Sequence, residues 1–147
     1  MSYRLSTRSI RTLSTVKPEM QAVVRRAIEL TEVDFMVVQG KRTWDEQAKL
    51  YGQGRTATAL ILLGIPASYA QPHKPKVTWT MKSNHLSGDA VDLVAWVNGA
   101  ISWDTTKGYY EKIAVAMKQA AMELCTVIEW GGDWNTTKDY PHFELAG

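Results

Sequence analysis

The sequence predicts an α+β fold, a small single domain in which a mainly antiparallel sheet is flanked by helices. Three observations carry that prediction. Helical periodicity marks a segment early in the chain and another late in it. Between and after them lie short apolar or alternating runs of strand length. The third is Asn98-Gly99, a dipeptide suited to a tight hairpin, set between two such runs.

In chain order, Pro18 fits the first position of a helix, and Met20, Val23, Val24, Ala27 and Ile28 then recur at helical spacing to give it one apolar face. Phe35 to Val38 reads as a short strand ended by Gly40. Thr43-Trp44-Asp45-Glu46 has the form of a capping box, which predicts a helix from Trp44 to about Tyr51, closed by Gly52 and Gly54. From Arg55 to Thr80 the pattern is least legible. TALILLG suits a short helix, and Pro66, Pro72 and Pro75 then argue for an irregular excursion. We read this segment as a wall of a substrate cleft, since long loops in small domains tend to serve function, and residues 58–76 within it as an irregular insertion.

KVTWT alternates like a strand, and DAVDLVAWV reads as another, turning through Asn98-Gly99 into AISW. A second amphipathic helix begins at about Lys107, with Tyr110, Ile113, Met117, Ala121 and Leu124 on one face. TVIEW, a loop with Gly131-Gly132 and a final strand HFEL complete the chain.

A length of 147 residues fits one domain, 1–147, with enough chain to bury a core. Seventeen basic and fifteen acidic residues leave a net charge of +2. That is too mild to argue for nucleic acid, yet it would not repel an anionic polymer such as a cell wall. The single cysteine, Cys125, excludes an intrachain disulfide and a zinc site built from cysteines. Its apolar neighbours suggest a small buried core residue. The basic N-terminal stretch has no apolar core of signal-peptide length, and TALILLGIPA is far shorter than the ~20 residues that span a bilayer. The expectation is a protein made in the cytoplasm, without membrane insertion, that depends on another agent for release if its substrate lies outside.

Two segments concentrate residues able to do chemistry: Ser83 to Asp92, and Trp130 to Trp134 followed by Asp139 to Leu145. Strand alternation puts Ala90, Asp92 and Val94 on one face, and Ser87-Gly88 lets the backbone turn so that His85 and Asp92 can converge. Two histidines with one carboxylate and an open fourth position form a known catalytic zinc arrangement. By spacing alone, the same residues also fit loop polar groups, a helix cap or a surface histidine.

The pattern S-x-H-x-x-G-x-A-x-D, here Ser83 to Asp92, followed by W-G-G-D-W and D-x-P-H-F-E-L, resembles the zinc D,D-peptidase family. That family holds VanX-type dipeptidases, VanY-type carboxypeptidases and phage L-alanyl-D-glutamate endolysins. The similarity runs from about Thr15 to the C-terminus, and the stretch Thr58 to Lys76 has no match in it. The resemblance implies a hedgehog/D,D-peptidase-like fold and one Zn2+ ion held by His85, Asp92 and His142. It implies Asp139 as the catalytic carboxylate, which would take a proton from water and pass it to the leaving amine. The alternative is a loop aspartate bonding its own backbone. Val37 to Thr43, with Gln47, Leu50, Tyr51 and Gly54-Arg55, also follows the family pattern. Arg42 would there stabilise the oxyanion of a tetrahedral intermediate, the alternative being a structural salt bridge. Ser83 resembles a substrate-contacting residue and suits a turn former equally.

His73, in a proline-rich loop, reads as exposed. Glu144 stands where some relatives have a histidine, and fits either a partner orienting a ligand or a charged strand residue. Asp89 and Asp133 read as structural or electrostatic neighbours of the site. Trp96, Trp103, Trp130 and Trp134 read first as core and second as a peptide- or glycan-contacting surface.

The function implied is metal-assisted hydrolysis of a peptide bond in peptidoglycan stem peptides by a monomer. Within the family the L-alanyl-D-glutamate bond is expected, for a phage endolysin released by a separate pore-forming protein. The alternatives are a D-alanyl-D-alanine carboxypeptidase or dipeptidase, and a non-catalytic, metal-stabilised wall-binding module.

Overall fold

The structure, a computed structural model, describes residues 2–146. The chain divides into two compact units. One joins the chain up to Lys41 with the chain from Ser87 onward, and the other is the segment Arg42–Leu86.

The first unit holds helices α1 (Thr7–Leu13), α2 (Pro18–Leu30) and α5 (Tyr109–Glu123) and strands β1 (Phe35–Gln39), β2 (Ala90–Val97), β3 (Ala100–Ser102), β4 (Ile128–Trp130) and β5 (His142–Leu145). The strands form one sheet in the order β1-β2-β5-β4, with β3 also on β2, and every pairing is antiparallel. Asn98 and Gly99 turn β2 into β3, both with positive φ (53° and 80°), as the hairpin signal required.

Alternation along β2 decides which side chains meet. Val91, Leu93 and Ala95 enter the core with Phe143, Trp130 and Val37, against Met20, Val23, Val24 and Ala27 of α2 and Ile113, Met117 and Ala120 of α5. Asp92 has the opposite facing and lies directly across from His142, while Ala90 lies across from Glu144. The strand that packs the core thus also presents Asp92 on its other face. Burial of Tyr110, Ile113, Met117 and Ala121 follows the helical pattern, but Leu124 is 43% exposed, because α5 ends at Glu123 and Leu124 serves as its cap.

The second unit holds α3 (Trp44–Gly52) and α4 (Ala57–Ile61), then a 3-10 turn at Ala67–Tyr69. Thr43 and Glu46 complete the expected capping box. The unit's apolar centre is small, made of Ala48, Leu60 and Ile65 with Tyr51, Tyr69, Ala70 and Met81 against it.

Further features depart from expectation, each for a physical reason. The alternating segment 76–80 is no strand, because Thr78 and Thr80 are bonded by side chains in place of a sheet partner. Helix α1 leaves no clear apolar pattern in the sequence, because its buried face includes a polar residue. Ser9 is fully buried, and its hydroxyl oxygen accepts the Val37 N–H at 3.1 Å. Cys125 is exposed and not core, since it follows the end of α5 at a positive φ of 53° in the turn toward β4.

Candidate metal centre

His85 and His142 are buried, 2% and 6% exposed, and Asp92 is half-buried. Each offers one ligand atom, and these atoms all lie within 4.8 Å of one another. His142 Nδ1 stands 3.4 Å from Asp92 Oδ1. Donors ~2.0–2.1 Å from a single tetrahedral zinc would sit ~3.3 Å apart, so this spacing fits a shared ion. The donor set, two imidazoles and a carboxylate, fits one as well.

Each candidate ligand is placed by its local sequence. Asp92 and His142 are register partners on neighbouring strands. The His85 N–H donates to Ser83 Oγ at 3.2 Å, and the Leu86 N–H to the Ser83 carbonyl at 3.0 Å, so Ser83 forms the turn that carries His85. The His85 carbonyl accepts the Arg42 N–H at 2.8 Å, which ties the backbones of these two residues together.

The turn before His142 is built from the W-G-G motif. The Trp130 indole N–H donates to the Tyr140 carbonyl at 2.7 Å, and the Asp139 N–H donates to the Gly131 carbonyl at 3.0 Å. A Cβ on Gly131 would fall 2.2 Å from the Asp139 carbonyl oxygen, and one on Gly132 would fall 2.3 Å from the Trp130 ring. Only glycines permit that approach. The His142 N–H in turn donates to the Asp139 carbonyl at 3.1 Å, and the Trp134 ring packs 5.2 Å from the His142 ring.

Burial pushes the His142 imidazole toward its neutral form. Hydrogen bonding to Asp92 and Glu144, with the charges of Asp92 and Asp139, outweighs burial and holds its pKa above the ordinary histidine value. The same field of carboxylates favours a cation beside the ring.

Asp139 is exposed, and its charge reaches His142. Arg42 is half-buried, and its Nη1 donates to Gln47 Oε1 at 2.7 Å. Gln47 is legible in the sequence only as one letter of a pattern. It is fully buried on α3, and its amide nitrogen also donates to Thr78 Oγ1 (3.1 Å) and the Thr80 carbonyl (2.7 Å). A polar residue next to buried Ala48, four positions after the Thr43 cap, is the signal available for it. Asp89 pairs with Lys17 at 2.7 Å and Asp133 with Lys118 at 2.7 Å. His73 is exposed, as are Trp96 and Trp103, whereas Trp130 is core.

The phage L-alanyl-D-glutamate peptidase family matches residues 1–59 and 72–145. The L-alanyl-D-glutamate peptidase of Escherichia phage T5 is 35% identical over 99% of this chain and 90% of its own length. Peptidoglycan L-alanyl-D-glutamate endopeptidase CwlK of Bacillus subtilis is 31% identical over 77% of this chain and 61% of its own. The crystal structure of the Serratia marcescens L-Ala D-Glu endopeptidase ChiX superposes with a TM-score of 0.71 at 36% identity, covering 95% of this chain and 87% of that one. With the match extending over nearly the whole chain, including both segments that carry His85, Asp92 and His142, this protein belongs to the phage L-alanyl-D-glutamate peptidase family.

Proposed function

We propose that this chain is a zinc metallopeptidase that hydrolyses the L-alanyl-D-glutamate bond of peptidoglycan stem peptides, acting as a phage endolysin. The observation that carries the proposal is the convergence of His85, Asp92 and His142 ligand atoms within 4.8 Å, in a chain whose relatives bear the name of that activity. Two imidazoles and one carboxylate suit zinc among the available divalent ions. When bound, zinc supplies a Lewis acid for the scissile carbonyl and lowers the pKa of water to ~7.

The remaining steps fall to the chain's own side chains. Asp139 takes a proton from the attacking water as its oxygen bonds the L-alanyl carbonyl carbon. It then delivers that proton to the D-glutamyl nitrogen as the C–N bond breaks. The Arg42 guanidinium, aimed by Gln47, stabilises the negative charge developing on the carbonyl oxygen. Ser83, next to its turn, contacts the substrate. On this reading the chain acts as a monomer and as a single peptidase domain. Among the described residues no helix is long and apolar enough to cross a membrane. Passage to the wall falls, on this reading, to a separate pore-forming protein.

The test is incubation of zinc-loaded protein with defined stem peptides, with and without a chelator, and mass analysis of the products. A new N-terminal D-glutamate that chelation suppresses is the expected product. Free D-alanine would replace this reading by a carboxypeptidase, and absence of any cleavage would leave a wall-binding module. Asp139→Ala should abolish turnover while zinc stays bound; turnover that survives would remove Asp139 as the base.

A further inference from the structure

The His142 ring is held at both nitrogens. Nδ1 faces Asp92 Oδ1 at 3.4 Å, and Nε2 lies 2.7 Å from Glu144 Oε1. A ring that gives its Nδ1 lone pair to a metal must carry its proton on Nε2. A carboxylate at hydrogen-bond distance from Nε2 accepts that proton and so selects the one tautomer able to ligate.

The placement of Glu144 follows from the strand. Residues two apart on β5 share a face, so Glu144 stands beside His142. Its register partner on β2 is Ala90, a fully buried residue with no side chain beyond Cβ to compete for that space. The Glu144 side chain is only 15% exposed and that of His142 8%, so their hydrogen bond is shielded from water. The Trp134 ring, 5.2 Å away and tilted 47°, restricts the imidazole further.

We propose that Glu144 is the positioning residue of the metal site: it fixes the tautomer and orientation of His142 so that Nδ1 faces the ion. This rests on the reading of His85, Asp92 and His142 as metal ligands. The expected consequence lies in metal affinity, since loss of such an outer partner typically weakens binding ~10–100-fold.

The experiment measures zinc affinity by competition with a chromophoric chelator for wild type, Glu144→Ala, Glu144→Gln and Glu144→Met, together with the visible absorption of the cobalt(II)-substituted forms. The Ala and Met variants should bind zinc ~10–100-fold more weakly and show altered cobalt spectra. The Gln variant, whose amide oxygen still accepts from Nε2–H, should recover most of the affinity and the wild-type spectrum. Glu144→Ala with wild-type affinity would overturn the proposal. So would equal losses in the Gln and Met variants, because charge and not hydrogen-bond acceptance would then be at work. Should the Ala variant not fold, the Gln and Met pair decides the matter alone. A wild type that takes up no zinc would overturn the metal site itself, an outcome distinct from either of these.

Discussion

The two units are held by different forces. In the first, the sheet and helices α2 and α5 bury a continuous set of aliphatic and aromatic side chains, with Phe35, Leu93, Ile113, Met117 and Phe143 all at or near zero exposure. In the segment Arg42–Leu86 the buried apolar set shrinks to Ala48, Leu60 and Ile65. Polar side chains take over the work of connection there. Gln47 bonds Arg42, Thr78 and Thr80, and Arg55 Nη1 donates to the Tyr51 and Thr78 carbonyls at 2.8 and 3.0 Å while its guanidinium stacks 3.7 Å from the Tyr51 ring centre. Apolar burial is cumulative and spread over many residues, whereas a buried polar network concentrates its contribution in a few. Damage should therefore be graded in the first unit and focused in the second.

The largest effect is expected from Phe143→Ala. The ring is fully buried between the register partners Val91 and Trp130 and stacks on Trp130 at 6.3 Å. Truncation should cost about 3–5 kcal/mol of unfolding free energy in a denaturant titration. A loss below about 1 kcal/mol would contradict an apolar core as the main support of this unit. Gln47→Ala comes next. It strips a partner from Arg42, Thr78 and Thr80 at once, and leaving such groups unsatisfied costs about 1–3 kcal/mol. Amide exchange should quicken first within 42–86 and leave β2 and β5 protected. A uniform rise across both units would show that they open together and that the contrast has no dynamic meaning.

The same contrast decides what is readable from the sequence. Periodicity reports apolar burial, so Met20 to Ile28, Phe35 to Val38 and Ala90 to Val97 can be assigned to their elements. It is silent about side chains that bond backbone. Thr78 and Thr80 alternate with Val77 and Trp79 like a strand, yet their partners are Gln47 and Arg55. Ser9 hides α1 for the same reason, as a hydroxyl on the buried face of a helix. At the site, spacing alone leaves alternatives open and the family resemblance is what implies His85, Asp92 and His142, whose ligand atoms lie within 4.8 Å of one another in the structure. Glu144 admits two readings in the sequence, because alternation gives its face but not the 2.7 Å hydrogen bond to His142. Gln47 carries no role there, since which polar side chain aims another is a fact of three-dimensional proximity.

Smaller effects test the surface of each unit. Hydrogen bonds from Lys17 and Ser87 hold the Asp89 carboxyl below its ordinary pKa. A lowered carboxylate pKa contributes stability above the unfolded value of ~3.9, and that contribution fades as pH falls through the folded pKa. Asp89→Asn should thus lower stability slightly at pH 7 and not at all at strongly acid pH, as read by thermal melts at the two extremes. An equal loss at both would assign the effect to packing and not to charge. The pair is well exposed on the lysine side, so the shift should be small beside that of Gln47→Ala.

The least effect is expected at Leu62. It is 82% exposed, between Ile61 and Leu63 at 60% and 54%, within residues 60–71, which lie outside the family match. An exposed leucine that buries almost nothing has little apolar transfer energy to lose, and replacements at such positions stay within about 0.5 kcal/mol. Leu62→Ser should leave the denaturation midpoint and stem-peptide turnover at wild-type levels. A stability loss well beyond that range would mean that this segment is covered in solution, and the small apolar centre of Ala48, Leu60 and Ile65 would then be part of a larger one.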